Sequence, residues 1–173
     1  MKKGSITVIE GEEAICTAFS LQFVYRGSTV HGEYGCFLSG SATLEEIESL
    51  MNYYGMPLEN LANSPSIVMF DVENLSEINL RINGENLHMD SLLELMKSIH
   101  EDVRFTRLAI DRFDLMARNG SKKNVEDFFD YTRENHIEVI LTVNPDYENS
   151  ELLQISDNYV TVRRCDIPMI LFS

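Results

Sequence analysis

Gly4–Gly27 reads GSITVIEGEEAICTAFSLQFVYRG. Ile6–Ile9 is a short apolar strand, Glu10-Gly11 is a turn, and Ala14–Tyr25 is a helical segment closing at Gly27. Strand, glycine turn and helix form the layout that offers backbone N–H groups to an anion at a helix N-terminus. A full phosphate loop needs further glycines and a Lys-Ser/Thr pair. Glu12, Glu13, Ala14, Ile15, Cys16 and Thr17 stand in that place. Lys3 and Arg26 bracket a stretch with no basic residue. The two carboxylates favour the helix dipole by roughly 0.3–1 kcal/mol each, and they repel a triphosphate.

Working outward, strands and helices alternate. Glu33–Ser39 reads as the second strand. Thr43 with Glu46 is a capping box opening a helix with Leu44, Ile47, Leu50 and Met51 inward, ending near Gly55. Ser66–Val72 reads as a strand, and Ile78–Ile82 as an edge strand before an Asn83-Gly84 turn. Asp90 caps a helix carrying Leu92, Leu93, Leu95, Met96 and Ile99. Thr106–Asp111 is a strand ending in aspartate. A basic, turn-rich loop follows, with Arg112, Arg118, Lys122 and Lys123, and then a helix capped by Ser121 or Asn124. Ile137–Val143 is almost wholly apolar, as in a strand buried on both faces. A short helix over Ser150–Ile155 leads to Asn158–Arg163 and Pro168–Phe172, which read as a hairpin. The pattern predicts an α/β fold: three layers, a mainly parallel twisted sheet with helices on both faces, and a C-terminal antiparallel hairpin, all in one domain over 1–173.

In such a sheet ligands sit at the carboxyl ends of strands. The positions to inspect are Glu10–Thr17, Ser39–Ser41, Asp111–Arg112 and Val143–Asn144. Asp111 fits two roles, a metal-holding aspartate or a strand-end aspartate that caps the next turn or pairs with Arg112, and the second is favoured. Arg112, Arg118, Lys122 and Lys123 are the candidate contacts for a partner, against the simpler reading of a solvated loop. His31, His88, His100 and His136 are too dispersed for a metal site, so none is assigned. The methionines, among them Met51, Met56, Met69, Met89, Met96 and Met116, suit core filling or a subunit interface.

Composition narrows the function classes. The chain has 28 acidic and 14 basic residues and a formal charge of −14, which disfavours broad binding to nucleic acid or anionic membrane. No apolar run is long enough to cross a bilayer, and the N-terminus lacks a secretory h-region, so a cytoplasmic protein is expected. Cys16, Cys36 and Cys165 lack metal-ligand spacing and read as reduced, buried thiols. Glu12 and Glu13 beside Cys16 raise a thiol pKa, which argues against a catalytic cysteine.

The four positions, in their order, resemble the RecA-like ATPases, most closely the KaiC type that includes the archaellum protein FlaH. Gly4–Gly11 resembles the opening strand, and LQFVYRG (Leu21–Gly27) the helix after the phosphate loop, one residue early. Gly32–Ser39, Thr43–Met51 and Tyr54-Gly55 resemble the second strand and helix, and Leu108–Asp111 the Walker B strand. Ile137–Thr142, followed by Leu152–Val160, resembles the late strand and the segment after it. The resemblance implies Gly11, Thr17 and Asp111 as vestigial nucleotide-binding positions, with Thr17 one residue out of register unless the loop is shorter. The family's lysine is missing, and Gly40 and Ser41 stand where its catalytic glutamate belongs, so no catalytic residue is assigned. The expectation is a catalytically inactive structural or regulatory subunit in an archaellum, pilus or signalling assembly. It would partner an active KaiC- or FlaH-like ATPase or itself, and need no cofactor beyond weak ATP and magnesium. The alternatives are a divergent nucleotide-binding switch that borrows a lysine such as Lys122 of a neighbour, and, less favoured, a nucleic-acid accessory factor.

Overall fold

The computed structural model describes residues 3–61, 67–77, 89–117, 120–147 and 150–163. Its strands are β1 (Ile6–Gly11), β2 (Gly35–Ser39), β3 (Ile67–Phe70), β4 (Arg107–Asp111), β5 (Glu138–Val143) and β6 (Asn158–Val162). They form one sheet in the order β3-β2-β4-β5-β1-β6, and every pairing is parallel. The helices are α1 (Glu13–His31), α2 (Leu44–Tyr53), α3 (Val72–Glu77), α4 (Met89–Val103), α5 (Phe113–Ala117), α6 (Lys122–Glu134) and α7 (Ser150–Ile155).

Strand alternation sorts the core into two layers. Ile6, Val8, Cys36, Leu38, Leu108 and Ile110 face one side, where Met96 of α4, Phe113 of α5 and Phe128 of α6 cover them. Phe37 and Ala109 face the other side, under Leu21 and Val24 of α1 and Ile47 and Met51 of α2. Helices therefore cover both faces, and the strands are apolar on both, as a parallel sheet requires. Each fully buried phenylalanine, such as Phe37 or Phe128, contributes roughly 1.5–3 kcal/mol.

Several boundaries differ from the sequence reading. Helix α1 does not close at Gly27; it runs to His31 and ends on Gly32, whose φ of 67° is left-handed. Gly27 has a packing role instead: a Cβ there would lie 2.4 Å from Cδ of Arg107. The Arg107 guanidinium donates to the Phe23 carbonyl at 3.0 Å and pairs with Glu33. Leu44, expected inward, is 46% exposed, because the capping box places it on the outer first turn of α2. The Ser66–Val72 strand is shorter, since Asp71 ends it. The buried Asp71 carboxylate accepts from Asn74 N and Leu44 N, both at 2.8 Å, opening α3 and bracing α2. Asp90 lies inside the first turn of α4 rather than before it. Of the two caps proposed for α6, Ser121 is the N-cap and Asn124 completes the box. Part of the basic loop is helical, as α5. Strand β6 lies parallel beside β1. Ile78–Ile82, Asn83-Gly84 and Pro168–Phe172, and with them the antiparallel hairpin, lie outside the described residues. So do Arg118, His88 and Cys165.

Candidate functional site

The parallel register brings the carboxyl ends of β1, β2, β4 and β5 to one edge. Ser39 lies level with Asp111 across β2 and β4, and Ile110 pairs with Leu141, which sets Thr142 beside Asp111 on the other flank. Helix α1 returns over β4 and delivers Thr17 from its second turn. Asp111 is fully buried. Its Oδ1 accepts from Thr142 Oγ1 at 2.7 Å and Thr17 Oγ1 at 2.9 Å, and its Oδ2 from Ser41 Oγ at 3.2 Å. Ser39 Oγ is 3.5 Å from Oδ2 and accepts from Ala42 N at 3.0 Å. Burial raises the Asp111 pKa; the hydroxyls of Thr142, Thr17 and Ser41 oppose that rise, and the charge of Glu13 adds to it.

The passage from β1 into α1 is short. Strand β1 ends at Gly11 and α1 begins at Glu13, so Glu12 alone joins them. Helix starts that early, and its second turn carries Thr17 to the aspartate. Gly11 is closed in: a Cβ there would meet the Val162 carbonyl oxygen at 2.6 Å and Cys16 Sγ at 3.1 Å. Its glycine answers the close passage of β6. Glu12 has extended backbone and no side-chain cap bond. The Cys16 thiol is pushed up to about 11, first by burial and then by Asp111, Glu10 and Glu12. Burial therefore outweighs the neighbouring glutamates, and Glu13 is not among the causes.

Asp111 does not pair with Arg112. Arg112 takes a left-handed φ of 55°, its N–H donates to Thr142 Oγ1 at 2.8 Å, and its side chain turns to two other carboxylates. Nε and a terminal nitrogen form a fork on Asp114 at 2.9 and 3.0 Å, while the other terminal nitrogen reaches Glu13 at 2.9 Å. The hydrogen bonds to Asp114 are the largest cause holding this guanidinium charged. Asp114 also accepts from Asn144 N at 3.3 Å. Arg112, only 14% exposed at its side chain, thus ties β4, α1, α5 and the end of β5 together. Lys122 and Lys123 remain exposed on the first turn of α6, on the opposite face of the sheet, with Lys122 3.7 Å from Glu126. The fold brings Gly11, Thr17, Asp111 and Arg112 to one edge and sets the two lysines on the helix layer of the face opposite α1.

Thr142, Asp114 and the Glu13–Arg112 pair were not singled out from the sequence. The one signal for Thr142 was a hydroxyl next to the end of an apolar strand. A cleft of about 310 Å³ opens beside the aspartate, lined by Glu13, Thr17, Ser41, Glu46, Ile47 and Leu50 among others. Among the described residues no three His, Cys, Asp or Glu side chains gather as a metal cluster, and no helix is long and apolar enough to cross a membrane.

With this geometry in place, the family model for the KaiC ATPase matches residues 1–161. The chain belongs to the KaiC ATPase family. The solved structure of a KaiC-like protein from the hyperthermophilic archaeon Pyrococcus horikoshii OT3 has the same fold, with a TM-score of 0.72 and 17% identity, covering 95% of this chain and 74% of that one. No curated protein matches the sequence. The six-stranded parallel sheet with helices is thus a KaiC-type, RecA-like fold.

Proposed function

We propose that this KaiC-family domain works as a structural or regulatory subunit through protein contacts, without phosphoryl transfer of its own. The observation that carries this reading is the direct passage from β1 into α1 through Glu12, with Gly11 walled by Val162 and Cys16. A triphosphate needs a loop of backbone N–H groups, a lysine and neutralised charge, because phosphoryl transfer is mostly positioning and electrostatics. Here the loop is one residue long, no basic residue lies between Lys3 and Arg26, and Arg112 is already shared by Asp114 and Glu13. Three hydroxyls of this chain already donate to the Asp111 oxygens that would face magnesium. The residues present do not fit a magnesium triphosphate. The partner is a protein, among which an active KaiC- or FlaH-like subunit or a second copy are the leading classes. Isothermal titration with ATP and magnesium, together with a phosphate-release assay, tests this: no turnover is expected, and micromolar binding coupled to hydrolysis would sink it.

One observation favours a second reading, a nucleotide-binding switch. Thr17 both touches Asp111 and lines the cleft beside it. A thermal-shift series with ATP, ADP, GTP and cyclic dinucleotides at millimolar ligand decides between them, because a ligand well above its dissociation constant raises stability. No shift with any of them leaves the first reading standing alone.

A further inference from the structure

We propose that the trough along α2 is a docking surface for a basic amphipathic helix of a partner protein. This rests on the reading that the chain works through protein contacts, and adds the place and the partner's chemistry. The 310 Å³ cleft between α1 and α2 continues into a second, of about 430 Å³, through the shared residues Glu46 and Leu50. The second is lined also by Glu45, Ser49 and Tyr53. Glu46, Leu50 and Tyr53 follow at the spacing of one helix face, with Glu45 and Ser49 beside them, so the trough runs along the length of α2. Apolar surface is left open along it: Tyr53 is 82% exposed and Leu50 is half-buried.

The charge of the trough selects the occupant. No lysine or arginine lines either cleft. Helix α2 contains Glu45, Glu46 and Glu48 and no basic residue. Glu13 shares its charge with Arg112, but no ion pair reaches Glu45, Glu46 or Glu48 from the described residues. Glu46 accepts from Thr43 N at 2.9 Å, which leaves its charge in place. A ligand that covers Leu50 and Tyr53 must therefore bring cations to meet these carboxylates. A helix with one apolar stripe flanked by lysine or arginine does both, in the helix-in-groove mode. A second copy, a partner class that other surfaces of the chain leave open, does not suit this trough: each copy carries −14, and Lys122 and Lys123 are followed on their own helix by Glu126, Asp127 and Asp130. Nucleic acid and anionic lipid have the wrong sign.

The probe is a labelled synthetic helix with leucine on one face and lysine on the other, titrated with the full chain by fluorescence anisotropy. Saturable binding that weakens between about 50 and 300 mM salt is expected. Glu45→Gln with Glu46→Gln should weaken it about tenfold; glutamine keeps the capping box, and the thermal midpoint checks folding. Tyr53→Ser, at a site too exposed to unfold the chain, should weaken it about fivefold. The control pair Glu126→Gln with Asp127→Asn, on the other face, should change it less than about twofold. Equal losses from both charge pairs, indifference to Tyr53→Ser, or no saturable binding each overturn the proposal. So does self-association in sedimentation velocity that the trough variants abolish. ATP turnover measured on the same preparations separates the two readings. Turnover with intact peptide binding sinks the proposed function alone; no turnover with no saturable binding sinks the trough alone.

Discussion

Thr142→Val tests the centre of the site. The swap keeps the shape of the side chain and removes one hydroxyl that does two jobs. Its proton goes to Asp111 Oδ1 at 2.7 Å, and its oxygen accepts the N–H of Arg112 at 2.8 Å. A hydrogen bond to a charged group contributes roughly 1.5–3 kcal/mol, and a buried donor left without a partner costs roughly 1–3 kcal/mol. The two share one side chain and do not add fully, so about 3–5 kcal/mol is expected near neutral pH. Asp111 supplies the signature. Its folded-state pKa lies above its ordinary value of 3.8 because burial disfavours the charge. The folded protein then holds the proton more tightly than the unfolded chain, so this group's contribution improves as pH falls through the folded-state pKa and levels off below the unfolded value. Losing the Thr142 donor widens that gap, so the cost of Thr142→Val should be greatest near neutral pH and shrink on acidification. In an Asp111→Asn background the lost bond is neutral to neutral, roughly 0.5–1.5 kcal/mol, and the cost should drop by about 1–2 kcal/mol. The chain has no tryptophan, so urea unfolding is followed by far-ultraviolet circular dichroism. An equal cost of Thr142→Val in both backgrounds and at both ends of the pH range would refute the picture of a buried charged aspartate held by hydroxyls.

Gly11→Ala should destabilise by roughly 1–3 kcal/mol, since its Cβ would meet the Val162 carbonyl at 2.6 Å; Cys16→Ala should rescue it only in part, and a neutral Gly11→Ala in thermal melts would mean the turn is open. Gly27→Ala sets a helix gain of about 0.8–1.0 kcal/mol against Arg107 at 2.4 Å, which Glu33 holds in place. We expect a net loss that becomes a gain in an Arg107→Ala background, and the same sign in both would reject that account. His100 is buried against Phe105 and hydrogen-bonded to Tyr131 at 3.1 Å, and burial followed by the charge of Arg104 lowers its pKa from 6.5. The unfolded chain then takes up the proton first, so stability is lost as pH falls below about 6.5. His100→Gln should flatten that part of the urea-midpoint profile, and an unchanged profile would assign the slope to other groups.

The order and kind of most elements are legible in the residues alone. Period and punctuation carry that information locally: the apolar runs at Ile6–Ile9 and Ile137–Val143, and the Thr43/Glu46 and Ser121/Asn124 caps, need no distant partner to be read. The charge pattern at the start of α1 is legible there too, because Glu12, Glu13 and the missing lysine are facts of the chain. Gly27 misleads, because a glycine inside a helix looks like a stop until Arg107 is known to pass across it. Arg112 looked like a solvated loop cation, because nothing local announces a left-handed residue whose guanidinium is held by Asp114 and Glu13. What Asp111 touches is set by contacts between distant segments. Thr17, Ser41 and Thr142 come from three separate segments, and parallel strand register together with the early start of α1 brings them within hydrogen-bond reach. Gly11 follows the same rule: Gly4–Gly27 names a strand, a glycine and a helix, but the reason that only a glycine fits there is β6 passing beside it, more than 140 residues along the chain.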